Sequence, residues 1–196
     1  NASADMAEEK GKFHDYEVFK DDVEDIMFQH INGHWDEEVL KDKIRKHGVR
    51  NCAVTTVMPT GTTALSCDAS YGMEPCFGLV FKKHLVDGSE MDIANPIFRD
   101  RFQDEEWYTE DLLKKIRKNN VSLKGIHGIP KRVRETFVTA HNIKWRDRID
   151  VQSSIQKHCS NAISSTINLS KDTPVSEVDE LYRYAYEKGL KGVTIY

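Results

Sequence analysis

The chain has 196 residues, 39% of them hydrophobic and 31% charged, enough for one domain or a large part of one with a sizeable core. Its net charge of −4 and pI near 6.1 argue against a general nucleic-acid binder, which would carry a basic surplus. No apolar run approaches the ~20 residues a membrane helix needs, and no basic–apolar–small leader opens the chain, so a cytoplasmic protein without a membrane partner is expected.

In chain order, Val18-Phe19, Val23, Ile26-Met27 and Ile31 recur at helical spacing, with Asn32-Gly33 as the stop. Asp36 opens a second helix through Val39, Leu40 and Ile44, ended by Gly48. Residues 51–58, rich in valine and threonine, read as a strand buried on both faces. Residues 77–93 read as a strand pair around Asp87-Gly88, a dipeptide suited to a tight hairpin. The stretch from Asn95 to Arg134 is charged and broken by Pro96, Gly125, Gly128 and Pro130, with a short helix over Glu110–Lys118. A longer helix is expected over Arg148–His158.

The end of the chain gives the clearest pattern. Residues 162–169 read as a strand and 171–175 as a loop. Ser176 with Asp179 fits a capping box, and Val178, Leu181, Tyr182 and Ala185 form an apolar helix face. Gly189 stops that helix and Lys191–Tyr196 returns as a strand. Strand, helix and strand at this length make a βαβ unit, so the fold class is α/β with parallel strands. The chain begins at Asn1 rather than methionine and stops on a strand residue, so both ends are expected to lie inside a longer protein.

The stretch that invites a function is Met58–Ser66, MPTGTTALS. A strand running into Pro59, Thr60, Gly61, Thr62 and Thr63 and then into a helix leaves backbone N–H donors beyond its end, where an anion is favoured. Threonine hydroxyls add rotatable donors, and Gly61 allows a close approach or a positive φ. No lysine follows, so this is not the loop of a nucleotide hydrolase. The same residues also fit a hydroxyl-rich turn that caps its own helix, and spacing alone leaves both readings open.

Other chemistry-bearing residues have plainer readings. His30 and His34 fit surface histidines. Glu74, before Pro75, fits a hydrogen-bonding support. Tyr182, Tyr184 and Tyr186 fit a helix face with one exposed side, and Lys82-Lys83-His84 the solvated end of a strand. The four cysteines, Cys52, Cys67, Cys76 and Cys159, form no C-x-x-C pair. They are expected to be reduced thiols, mostly packed as small hydrophobes, with no metal site.

Two ordered stretches carry a resemblance. The segment RNCAVTTVMPTGTTALSCDASYGMEPCFGLVFKKHLVDG, with Gly72-Met73-Glu74-Pro75-Cys76-Phe77, resembles the substrate-phosphate segment of ribonucleotide reductases. The later HNIKWRDRIDVQSSIQKHCSNAISSTINL followed by YAYEKGLKGVTIY is similar to the adenosylcobalamin-dependent branch of the same family. Gly61 and the later Asn95–Phe98 (NPIF) look most like the adenosylcobalamin-dependent, class II branch. The likeness is strong over about 48–98 and 136–196 and thin over 1–47 and 99–135.

The resemblance implies that residues 1–196 are the C-terminal part of a ten-stranded β/α barrel. The family converts ribonucleotides to deoxyribonucleotides by thiyl-radical chemistry, so a ribonucleoside-diphosphate reductase is the implied enzyme. Pro59, Thr60, Gly61, Thr62 and Thr63 would hold the phosphates of a ribonucleoside diphosphate. Adenosylcobalamin is the implied cofactor. The implied partners are the N-terminal part of the barrel, a thiol reductant such as thioredoxin, and a second copy in a homodimer. The N-x-C-x-E loop of the radical cysteine does not occur here, and Cys52, flanked directly by Asn51 and Ala53, does not replace it. Ser165 stands where many relatives carry lysine. No catalytic residue is therefore assigned, and the chain alone is expected to be inactive. A class I large-subunit fragment, or a silent phosphate-binding or assembly module of the same fold, are the alternatives.

Overall fold

The computed structural model describes residues 1–29, 36–67, 69–70, 72–84 and 86–196. The chain divides into two units, Asn1–Val57 with Ser154–Ile163, and Met58–Ser153 with Ser164–Tyr196.

The first unit is helical. Its helices are α1 (Ala2–Lys10), α2 (Tyr16–Gln29) and α3 (Glu37–His47). The helix expected around residues 18–31 is present. Its expected stop at Asn32-Gly33, together with His30 and His34, lies outside the described residues. Helix α3 begins and ends as its sequence dictates. The Asp36 side chain accepts a hydrogen bond from Val39 N at 3.3 Å, and Gly48 closes the helix at φ +70°. Two constraints select glycine there, because a Cβ at 48 would also lie 3.2 Å from the Tyr16 ring. Leu40 and Ile44, one turn apart, pack with Ala4, Tyr16 and Val49. Lys43 reaches back to Asp5 at 2.7 Å and Glu8 at 2.9 Å, tying α3 to α1.

Residues 51–58 do not form the expected buried strand. They are extended and irregular, and Val54 is 56% exposed. A strand apolar on both faces needs a paired neighbour on each edge and a covering layer on each side. Around Val54 and Thr55 the bonds run to one short segment, residues 160–161. Val54 N donates to Ser160 Oγ (3.3 Å), Ser160 N to Thr55 Oγ1 (2.8 Å), and Asn161 N to the Thr55 carbonyl (3.2 Å).

The second unit holds the rest. After α4 (Gly61–Ser66) comes the expected hairpin, β1 (Val80–His84) against β2 (Glu90–Ala94), antiparallel with Val80 opposite Ala94 and His84 opposite Glu90. Its turn is built by Asp87, whose carboxylate accepts from Ser89 N and Ser89 Oγ, and by Gly88 at φ +83°. Helix α5 (Pro96–Phe102) has Asn95 as its cap and Pro96 at its first position, and α6 spans Glu110–Lys118 as expected. Helix α7 (Lys131–Thr136) follows. Leu112 and Ile116 of α6 pack with Leu79, Val80, Phe98, Leu123 and Val133. Phe102, Tyr108 and Phe137 meet the Phe98 ring at centroid distances of 5.4–5.6 Å.

One crossing in this core is unusually tight. Leu79 N donates to the Val121 carbonyl at 3.0 Å, and Val121 holds a left-handed φ of +54°, a conformation β-branched residues avoid. The Val121 side chain sits so close to Gly78 that a Cβ at 78 would lie 2.5 Å from it. Glycine at 78 is what lets the two backbones approach.

Helix α8 runs Trp145–Gln156, three residues earlier at its start than expected. Trp145 is drawn into the helix because it packs in the next core and donates from Nε1 to Glu177 at 2.9 Å. At the other end the Gln156 side chain donates to the carbonyls of Cys159 and Asn161, so the chain turns there.

The predicted βαβ unit is present. β3 (Thr166–Ile167) and β4 (Thr194–Ile195) are parallel, and α9 (Val175–Glu187) connects them. The expected capping box is not. Pro174, at φ −68°, already occupies the cap position without a side-chain cap bond, which starts the helix ahead of Ser176. Asp179 instead pairs with Arg183. The buried face is Leu181 and Ala185 with Tyr184 beside them, whereas Tyr182 is exposed. Beyond Lys188, Gly189 N donates to Tyr186 O and Leu190 N to Ala185 O, the paired bonds of a glycine-terminated helix. The architecture is α/β, as expected.

The cysteines are free thiols, but only in part packed as expected. Cys159 is buried and Cys76 half-buried, whereas Cys52 and Cys67 are exposed. Burial pushes the Cys76 thiol up from its ordinary pKa, against hydrogen bonds to Gly78 O and from Asn95. Brief alkylation at neutral pH, read by peptide mass spectrometry, should therefore label Cys52 and Cys67 well before Cys76 and Cys159. Separately, Gly78→Ala should lower stability by ~1–3 kcal/mol in denaturant titration. Val121→Gly in the same chain should recover part of that loss, and simple addition of the two effects would speak against the close approach.

Candidate functional site

Donors are left over in the turn at residues 60–63. Pro59 leads into Thr60, and Ala64 N donates to the Thr60 carbonyl at 2.8 Å to start α4. Of the two roles open to Gly61, a close approach or a positive φ, the positive φ falls on Thr60 instead, at +48°, and a Cβ at 61 would meet nothing within 4 Å. Glycine at 61 therefore leaves open space above the turn rather than relieving strain in it.

The end of α4 is tied down. Ser66 Oγ donates to Thr62 O at 3.1 Å, Cys67 N to Thr63 O at 3.1 Å, and Ala69 N to Ala64 O at 2.9 Å. Its beginning is not. The N–H groups of Gly61, Thr62 and Thr63 precede any intrahelical partner, and they find no acceptor among the described residues. The hydroxyls of Thr60, Thr62 and Thr63 likewise make no hydrogen bond there, so none of them caps α4. Residues 59–63 are all exposed, while Ala64 anchors the turn from below at 7% exposure. The five residues proposed from sequence thus form one exposed surface of donors.

Glu74 has the supporting role expected of it. Its carboxylate accepts from Thr166 N at the start of β3. The cation behind it was not foreseen. Arg148, on α8, is 6% exposed, and its guanidinium donates to Thr166 O at 2.6 Å and Asn168 Oδ1 at 3.2 Å. Burial lowers its pKa, and the Glu74 charge works against that fall. One turn on, Gln152 donates to Gly192 O at 2.9 Å, and Ser153 to Lys188 O at 2.7 Å. The signal for these residues was present: Arg148, Gln152 and Gln156 recur every fourth residue, a polar row on a helix beside apolar Ile149. Ser165 is buried at 5%, and its carbonyl accepts from Thr194 N.

Among the described residues no group of three His, Cys, Asp or Glu could hold a metal ion. What the arrangement can do is bind: a donor-rich turn with nothing of its own to donate to, and a braced strand-and-helix unit beside it in the chain.

Comparison with known proteins identifies the family. The barrel domain of ribonucleotide reductases matches residues 1–196, including the stretches 1–47 and 99–135 where the motifs are thin. The chain is 29% identical, over 195 residues and its whole length, to the vitamin B12-dependent ribonucleoside-diphosphate reductase of Thermoplasma acidophilum, covering 22% of that protein. It is 33% identical over 147 residues, 75% of the chain and 21% of the relative, to the enzyme of the same name from Mycobacterium tuberculosis. The ribonucleoside-diphosphate reductase large chain of Encephalitozoon cuniculi is 28% identical over 97% of the chain and 25% of its own length. The chain thus spans about a fifth to a quarter of these relatives. The class Id ribonucleotide reductase alpha subunit of Actinobacillus ureae matches the whole chain and 30% of its own, at a TM-score of 0.66 and 19% identity, which shows a shared fold. This chain belongs to the ribonucleotide reductase barrel-domain family and is a part of that β/α barrel.

Proposed function

We propose that the chain is the phosphate-holding part of a ribonucleotide reductase that converts ribonucleoside diphosphates to deoxyribonucleotides. The observation that carries this reading is the set of unspent donors at residues 60–63. Hydrogen bonds from neutral donors to a charged oxygen are among the stronger ones, and three N–H groups with three hydroxyls can surround a terminal phosphate. Pro59 and the left-handed Thr60 set the turn, and Gly61 leaves room for phosphate oxygens to reach the backbone. Holding the diphosphate end fixes where the ribose lies, so this segment would contribute orientation rather than chemistry. The hydrogen-abstracting cysteine and the reducing pair would come from the rest of the protein.

For the radical source we propose the adenosylcobalamin-dependent branch. Gly61 and the Asn95–Phe98 sequence support it, as do the vitamin B12-dependent relatives. The cofactor would supply the radical. Large chains and large subunits of similar identity favour a second reading, in which the radical arrives from another subunit.

Two measurements test the proposal. In the complete reductase, Thr62→Val should weaken substrate binding by ~1–3 kcal/mol, raising KM more than it lowers kcat. Unchanged affinity for the diphosphate would remove the phosphate role. The chain alone should turn over nothing. Mixed with the N-terminal part of the barrel, thioredoxin and a ribonucleoside diphosphate, it should form deoxynucleotide only when adenosylcobalamin is added. Activity that instead requires a radical-generating subunit would select the second reading, and no activity in either mixture would select a silent module.

A further inference from the structure

We propose that a cavity of about 430 Å³ in the second unit, bordered by Lys124, Lys131, Arg134, Glu135, Val138 and Asn142, binds a small phosphate-bearing anion. It shares no residue with the turn at 59–63 and does not depend on the role proposed for that turn.

The sequence builds this pocket through backbone constraints. Gly125 at φ +79° and Gly128 at φ +87° fold the loop so that Ile126 and Ile129 enter the core. Pro130 then starts α7, whose helical spacing brings Lys131, Arg134 and Glu135 to adjoining turns. Three cations and one carboxylate border the cavity, in a chain whose net charge is −4. The carboxylate is engaged, since Glu135 lies 3.6 Å from Lys131.

The polar groups left over are donors. Arg134 Nε is buried and has no acceptor among the described residues, a condition native structures rarely tolerate without a ligand or water. Asn142 Oδ1 already accepts from Ser122 Oγ (2.5 Å), Thr139 N (3.2 Å) and Thr139 Oγ1 (3.1 Å), so its amino end is what it offers the cavity. Two ammonium groups, a guanidinium and an amide NH2 ask for several oxygens carrying more than one negative charge. A phosphate or diphosphate group meets that demand, with lysines as point charges and arginine as a directional donor. The cavity volume falls in the range of small-molecule sites.

Inorganic pyrophosphate is the probe, titrated into the chain by calorimetry and by amide NMR at low salt. Saturable binding is expected, with shifts at Lys124, Lys131, Arg134 and Asn142, weakening as salt rises. Arg134→Gln could disturb folding, so the decisive variant is Lys124→Gln with Lys131→Gln, checked by an unchanged thermal melt. It should lose affinity about tenfold and lose the shifts at Arg134 and Asn142, whereas the exposed control Lys171→Gln should not. Pyrophosphate-induced shifts confined to residues 59–63 would place the binding at that turn and overturn the proposal. An equal loss in Lys171→Gln would reduce it to general charge attraction. Absence of saturable binding up to about 10 mM would also overturn it.

Discussion

A guanidinium removed from water is the constraint around which the clearest part of this structure is arranged. Arg148 cannot lose its charge, and burial of that charge is tolerable only if its donors are used. The Thr166 carbonyl and the Asn168 side chain use them, and the Glu74 carboxylate supplies the opposing charge while accepting from the N–H of that same threonine. One residue of β3 is thus held through both of its backbone groups. The parallel pairing of β3 with β4 involves two residues on each strand, so it depends on being positioned from outside. The apolar packing of Ile149, Ile167, Leu181 and Ala185 then closes over a strand already fixed in register.

What the sequence makes legible here follows from how local each signal is. Asp36 and Gly48 bound α3 because a cap and a stop act on their own helix and need no partner from elsewhere. The Asp87-Gly88 turn and the end of α9 at Gly189 are local in the same way. The misread elements are those decided at a distance. Residues 51–58 have the composition of an inner strand, but composition cannot supply the flanking strands, and the segment stays extended and exposed. Ser176 looked like a cap until Pro174 took the position first, and Tyr182 looked like core although Tyr184 occupies it. The turn at 59–63 was readable as a donor surface, yet its strain sits on Thr60 rather than on the glycine beside it. The polar row of Arg148, Gln152 and Gln156 reads as the solvent face of α8 until its burial is known, and that hid the role of Arg148.

Family membership gives these observations a common setting. A segment spanning about a fifth to a quarter of its relatives retains a complete βαβ unit and a sealed aromatic core around Phe98. In the βαβ unit the backbone carbonyls of Thr166, Gly192 and Lys188 accept from Arg148, Gln152 and Ser153. The turn at 59–63 and the border of the basic cavity are the opposite, places where donors outnumber acceptors. Contrast of this kind, between satisfied scaffold and unsatisfied surface, separates what holds the protein together from what it can offer a ligand.

The crossing of Gly78 and Val121 has a consequence for how this sequence can change over time. The two positions are not independent letters. A methyl group at 78 carries a steric cost while valine remains at 121, whereas 121 can be trimmed first at little steric cost and with relief of its backbone. A lineage or library that reaches a larger residue at 78 is favoured to pass through a smaller one at 121, so the geometry biases the order of substitution.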